Sequence, residues 1–178
     1  KGAKPCEDRF GRPERAFRFN GLDDVIRVPD SDKLDLGTNS AGEVTVSIWF
    51  KGDIQREGWL LGKATQSGSP YTDYGILASR FHEYRFHGFV WGTGLSAAVG
   101  GSDSTDWMAV KSDAGPDQWH HLLAVYGGSD SEVPGKKVYI DGKLVAEAGP
   151  GARKNKANGG PLGIGGVGSQ GPNWKGEI

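Results

Sequence analysis

The sequence predicts an all-β fold built from two packed antiparallel sheets. Alternating apolar and polar residues, bounded by Gly, Pro, Asn and Asp, recur along the chain, while no sustained i, i+3, i+4, i+7 period appears. The 30 glycines and 9 prolines among 178 residues mark the many turns that short strands need. A chain of strands must close into a barrel or pack as a sandwich, because one open sheet leaves an apolar face and its edges unprotected. Six tryptophans in so small a domain favour the sandwich.

Taken in order, strands are predicted over 16–19 and 25–28, two short apolar alternations ended by Asn20-Gly21 and Pro29. The next, 44–50, is the clearest: Val44, Val46, Ile48 and Phe50 share one face and Thr45, Ser47 and Trp49 the other. Glycine-bounded or β-prone runs follow at 58–63, 74–78, 84–91, 107–110 and 120–126. The pair 137–140 and 143–148 is joined by Asp141-Gly142, which suits a type I′ hairpin turn with positive φ at both central positions. A last strand is predicted at 162–165. No repeat or linker interrupts the chain, so 1–178 reads as one domain, with 65–70 and 149–160 as surface excursions.

The 21 basic and 22 acidic residues leave a net charge of −1, so no broad positive field draws in nucleic acid or an anionic membrane. Arg153, Lys154 and Lys156 form the one basic cluster, and short basic runs are usually solvated loop. Cys6 is alone, which excludes a disulfide framework within these residues. No apolar run approaches the roughly 18–20 residues that span a bilayer, and residues 1–6 are not a signal peptide. An export signal, on this reading, lies outside these residues.

Four stretches in order carry a resemblance. They are Asp8-Arg9-Phe10-Gly11 through Ala16-Phe17-Arg18-Phe19-Asn20-Gly21-Leu22-Asp23-Asp24; residues 44–51; Gln118-Trp119-His120-His121 with Tyr139-Ile140-Asp141-Gly142-Lys143-Leu144-Val145; and Pro161-Leu162-Gly163-Ile164-Gly165 with Trp174-Lys175-Gly176-Glu177-Ile178. Together they resemble the laminin G-like jelly-roll family of the concanavalin A-like lectin/glucanase superfamily, common in secreted bacterial multidomain proteins. The resemblance implies a two-sheet jelly-roll sandwich. It also implies one strand before Asp8 and one after Ile178; neither is evident in the pattern, so an open sheet edge is expected, to be met by a partner segment or explained by truncation.

The superfamily includes hydrolases and lyases, so catalysis needs weighing. Retaining glycosidases set two carboxylates about 5–5.5 Å apart, and the family's hydrolases carry acidic residues at i, i+2 and i+4 on one strand. No strand here does: Glu177 stands alone, and Asp23/Asp24, Asp30/Asp32, Asp103/Asp106 and Asp130/Glu132 cluster in turns. His82 and His87 are five apart and fall on opposite faces of a strand, which does not suit a shared metal. Glu83, Arg85 and His87 share a face, fitting either a polar binding surface, a lyase-like site or plain solvation. The expectation is that the protein is not an enzyme.

Sugars offer C–H faces and hydroxyl edges, so a lectin-like site combines an aromatic platform with a few polar partners. Trp59, Tyr71, Tyr74, Trp91, Trp107 and Trp174 all lie near Gly- or Ser-rich turns, though tryptophan is more often buried. The preferred site is the loop 92–105, with Trp91, Asp103, Asp106 and Trp107 flanking it and Tyr74 and Arg85 nearby. Trp49 and Trp119 are read as structural. Calcium, which the resemblance implies for many relatives, is assigned to Asn20, Asp23 and Asp24, whose oxygens alternatively fix their own turn. The sequence therefore points to a noncatalytic glycan-binding module of a larger secreted or cell-surface protein. The alternatives are a protein–protein adhesion or assembly domain, with a polypeptide at an open sheet edge, and a polysaccharide lyase or glycosidase.

Overall fold

The computed structural model describes residues 2–34, 43–54, 56–64, 72–79, 85–91, 107–109, 114–127, 132, 135–149, 159–167 and 172–178, with backbone only for 64, 72, 73, 79, 85–91, 107–109 and 148. Thirteen strands are formed among them: β1 (Lys4–Cys6), β2 (Ala16–Asn20), β3 (Ile26–Val28), β4 (Glu43–Gly52), β5 (Gly58–Ala64), β6 (Thr72–Ser79), β7 (Arg85–Trp91), β8 (Trp107–Ala109), β9 (His120–Gly127), β10 (Gly135–Ile140), β11 (Lys143–Ala148), β12 (Leu162–Ile164) and β13 (Lys175–Glu177). They make a seven-stranded sheet, β1-β2-β13-β4-β9-β10-β11, and a six-stranded sheet, β3-β12-β5-β6-β7-β8. Every strand pairing is antiparallel, apart from an isolated parallel bridge between Trp59 and Asn173. The sandwich expected from the alternation is the observed architecture.

The core lies between the sheets. Ile48 and Phe50 of β4, Leu122, Ala124 and Tyr126 of β9 and Val138 of β10 project into it from one side, and Leu60 and Ile76 from the other. Phe19 and Trp174 close the same cluster, and Trp174 meets the edge of Phe50 at 6.1 Å between ring centroids. The predicted hairpin forms as expected. Asp141 and Gly142 have φ of 51° and 79°, the positive values a type I′ turn demands.

Two strands were not visible in the apolar pattern. β1 pairs with β2 through Lys4↔Arg18, Pro5↔Phe17 and Cys6↔Ala16, which corrects the expectation that no strand precedes Asp8. A proline masks that strand in the sequence, yet the sheet's edge is where proline is tolerated. β13 reads Lys-Gly-Glu, with no alternation at all, but it sits between β2 and β4 inside the sheet.

Of the aromatics weighed for a binding role, three are core residues: for Trp59 and Trp174 this is the burial that tryptophan usually shows, and for Tyr74, assigned to the binding site, it is a correction. Trp59, Tyr74 and Trp174 are 5%, 5% and 0% exposed. Their glycine neighbours serve packing: the Trp59 ring lies against the backbone at Gly62 and Gly75, where a Cβ on Gly75 would come within 2.8 Å of the ring and 2.9 Å of the Leu61 carbonyl. Gly75→Ala is therefore expected to lose about 1–3 kcal/mol through overpacking, while Gly115→Ala, with open space around it, stays within about 0.5 kcal/mol of the parent. Urea denaturation of the two variants checks this; equal stabilities would contradict the packing account.

Candidate functional site: a polar cleft on the seven-stranded sheet

The registers of three adjacent strands create the site. Glu177 of β13 lies opposite Arg18 of β2 on one side and Lys51 of β4 on the other, so a carboxylate stands in a cross-strand row between two cations. The Arg18 guanidinium donates to Glu177 Oε1 from Nη2 at 2.8 Å and from Nε at 3.2 Å, and Lys51 Nζ stands 3.5 Å from Oε2. The Glu177 side chain is only 12% exposed, whereas that of Arg18, though paired with it, is 65% exposed. Around this row opens a cleft of about 500 Å³, walled by Pro5, Cys6, Glu7, Asp8 and Trp119.

Each wall is held by local chemistry. Asp8 organises the turn after β1: its Oδ1 accepts the N–H groups of Phe10 and Arg12 at 2.9 and 3.0 Å, and its Oδ2 pairs with the Arg12 guanidinium at 2.6 Å. That turn carries Arg9, whose guanidinium lies 4.1 Å from the ring centre of Trp49 and 4.2 Å from that of Phe10. Trp49 also stacks on His121 at 4.8 Å, and Ser47 Oγ lies 2.8 Å from His121 Nε2. Trp119 is positioned by the residues that follow it. His120 turns inward, its Nδ1 2.7 Å from Asp141 Oδ2, and the His121 N–H donates to Asp141 Oδ1 at 2.8 Å. Burial pushes the Asp141 carboxyl up, but these hydrogen bonds and the two histidines outweigh it and leave the group below the usual carboxylate range. The motif Trp119-His120-His121 with Asp141-Gly142 is thus a structural lock that presents Trp119 to the cleft.

The residues singled out in the sequence are distributed differently. Trp91 and Trp107 end neighbouring strands of the other sheet, with Tyr74↔Trp91 and Val90↔Trp107 in register, and Arg85 and His87 lie on the same strand as Trp91. Asp103, Asp106 and the loop 92–105 lie outside the described residues, as do Tyr71, His82, Glu83, Arg153, Lys154 and Lys156. Tyr74 is in the core. Trp119, read as structural, lines the cleft; its position at the start of β9 beside a glycine- and proline-containing turn was the available signal.

Asn20, Asp23 and Asp24 come together, but not as an ion cage. Asn20 Oδ1 accepts the N–H groups of Leu22, Asp23 and Asp24 at 2.7, 3.1 and 3.3 Å, Asp24 Oδ2 accepts the Asn20 N–H at 3.1 Å, and Asp23 Oδ1 accepts from the Asn20 amide at 2.8 Å. Calcium needs six to eight oxygens, and these are turned onto the N–H groups of their own loop. The set does not fit the ion. Among the described residues no group of three or more His, Cys, Asp or Glu could hold a metal.

With the cleft described, the chain can be set beside known proteins. A family model for the concanavalin A-like lectin/glucanases superfamily, laminin G type, matches residues 20–178. No curated protein sequence matches. Among solved structures, domain 4 of AbnA, an extracellular arabinanase of Geobacillus stearothermophilus in complex with arabinotriose, is 16% identical with a TM-score of 0.54, covering 98% of this chain and 71% of that one. The binding domain of Paraclostridial Mosquitocidal Protein 1 is 11% identical with a TM-score of 0.59, over 100% of this chain and 42% of that one. Domains LG4-5 of the mouse laminin alpha1 chain are 15% identical with a TM-score of 0.51, over 98% and 39%. At these identities the likeness is one of fold.

Two measurements test the site's electrostatics. The Arg12 side chain, with the Arg12 and Phe10 N–H groups, outweighs burial and holds the Asp8 carboxyl down at about 2. A depressed carboxylate stabilises the fold above its unfolded value of about 3.9 and loses that contribution as pH falls toward 2. An NMR titration of Asp8 is expected to show a midpoint near 2, with Asp8→Asn flattening the acid limb of the stability curve; a midpoint near 4 would contradict the turn. Burial first, and the Glu177 charge second, push the Cys6 thiol up, against the opposing pull of Arg18 and Lys51. Cys6 should therefore alkylate more slowly at pH 8 than a free thiol, and faster in Glu177→Gln; the reverse order would overturn the assignment.

Proposed function

The chain belongs to the laminin G-like family of the concanavalin A-like lectin/glucanase superfamily, and from that membership we propose that it is a noncatalytic glycan-binding module of a secreted or cell-surface protein, with its ligand in the Arg18–Glu177–Lys51 cleft. The observation that carries the reading is the charged row beside Trp119. A carboxylate flanked by two cations offers acceptors and donors to adjacent hydroxyls, and the indole offers a platform for a C–H face. A cleft of about 500 Å³ is within the size range of small-molecule sites. The arabinanase domain solved with arabinotriose supports a carbohydrate as the ligand class, and that enzyme's extracellular setting supports a secreted one here. No helix among the described residues is long and apolar enough to cross a membrane.

The noncatalytic reading rests on how the carboxylates are used. Glycosidic cleavage needs two carboxyl groups with distinct acid and base tasks. Of the three carboxylates that line the cleft, Asp8 is committed to Arg12 and its own turn and Glu177 is clasped by Arg18 and Lys51, which leaves Glu7 without a second uncommitted carboxyl beside it.

A glycan array probed with residues 1–178, with arabino-oligosaccharides included, tests the proposal in calcium and again in chelator. Selective binding is expected in both conditions, weakened about ten-fold or more in Trp119→Ala and in Arg18→Ala, a loss of roughly 1.4 kcal/mol. Binding that survives those changes but is lost in Trp107→Ala moves the site to the loop 92–105. Binding that needs calcium assigns a role to the ion that Asn20, Asp23 and Asp24 do not supply. Cleavage of a bound glycan overturns the noncatalytic reading, and no binding in either condition overturns the whole.

A further inference from the structure

The oxygens that the resemblance assigns to calcium are already bonded, and two neighbouring carbonyls of the same turn are bonded from elsewhere in the fold. Within residues 20–24, Asn20 Oδ1, Asp23 Oδ1 and Asp24 Oδ2 accept from donors of the turn itself. The two apical carbonyls are held from outside: Asn173 Nδ2 donates to the Leu22 carbonyl at 2.8 Å, and Arg56 Nη2 to the Gly21 carbonyl at 3.4 Å. Calcium loops use such backbone carbonyls as ligands. Here an amide takes one and a cation takes the other.

The fold places both donors. Asn173 is buried; it forms the isolated parallel bridge with Trp59, and the preceding Pro172 carbonyl accepts the Trp59 N–H at 3.0 Å. Its side-chain oxygen is enclosed against Gly166, where a Cβ would collide with it, so the amide nitrogen is the end that meets the turn. Arg56 lies between β4 and β5, its N–H donating to the Asp53 carbonyl at 3.1 Å. From there the guanidinium packs on Gly21: a Cβ added to Gly21 would stand 3.3 Å from Arg56 Nη2 and 2.7 Å from Lys175 Cβ. A calcium ion on the Gly21 carbonyl, at about 2.3–2.6 Å, would be held within about 6 Å of that guanidinium, where like charges repel.

The turn also bears on β13. Asn173 stands four residues before Glu177, and Lys175, between them, pairs with Asn20. We propose that Asn173 and Arg56 do the structural work of the ion, drawing the Asn20–Asp24 turn onto the approach to β13 and onto the connection between β4 and β5, and so make this module independent of calcium. Asn173 is then a positioning residue that acts through β13 on the Arg18–Glu177–Lys51 row; that step, and no other, rests on the glycan reading above. The chemistry also implies a conversion. A carboxylate at 173 has no proton for the Leu22 carbonyl, and beside Asp23 and Asp24 it leaves a set of oxygens that only a cation reconciles.

The test is Asn173→Asp in residues 1–178, followed by thermal unfolding in millimolar calcium and in chelator, and by luminescence of terbium, an oxygen-seeking stand-in for calcium excited through the adjacent Trp174. The parent is expected to show the same Tm in both conditions. Asn173→Asp should lose about 3 °C or more in chelator, recover it in calcium and gain a terbium signal, whereas Asn173→Ala loses as much and recovers nothing. Arg56→Glu, at an exposed position that spares the core, tests the other donor and should gain the same terbium signal. A parent stabilised by calcium, with the gain lost in Asp24→Asn, overturns the proposal; so does a calcium response that is alike in Asn173→Asp and Asn173→Ala. Glycan affinity, measured on whatever sugar the array selects, should fall about ten-fold in chelator for Asn173→Asp and return in calcium. An array without hits defeats the glycan reading and leaves the Tm and terbium results to decide the clasp.

Discussion

The seven-stranded sheet depends on a three-residue strand at the far end of the chain. Among the described residues β13 is the only link between the β1-β2 hairpin and the β4-β9-β10-β11 ladder, so more than 150 residues must be closed into a loop before the N-terminal strands can join the sheet. So short a strand contributes few ladder bonds. Trp174, immediately before it and fully buried against Phe50, supplies the apolar anchor, and Glu177 supplies a charged clasp on both neighbours. Burial of an indole of that size outweighs an ion pair whose cations stand largely or partly in solvent, which is worth about 1 kcal/mol or less. The clasp sets register; the tryptophan sets stability.

The same strand generates the chemistry of the face above it. Because cross-strand partners share a face, the two registers that place β13 also line up Arg18, Glu177 and Lys51. Charged residues in mid-sheet tolerate that position because they project outward, away from the core that Phe19 and Phe50 occupy. The cleft is thus a by-product of sheet closure, with Trp119 added by the histidine and aspartate lock at the start of β9.

Legibility in the sequence followed the strength of local signals. The alternation in β4 and the Asp141-Gly142 turn are written in neighbouring residues, and both are present as read. β1 and β13 carry Pro5 and Gly176 with charged neighbours, and they are strands only because distant partners make them so. Tertiary context overrides propensity there. Glycine near an aromatic left both a binding role and core packing open; for Trp59 it is the clearance that lets the ring lie against the sheet. The cleft was not legible at all, since its row joins positions 18, 51 and 177. The Asn20 turn was legible in one of its two readings, the one in which its oxygens serve their own backbone.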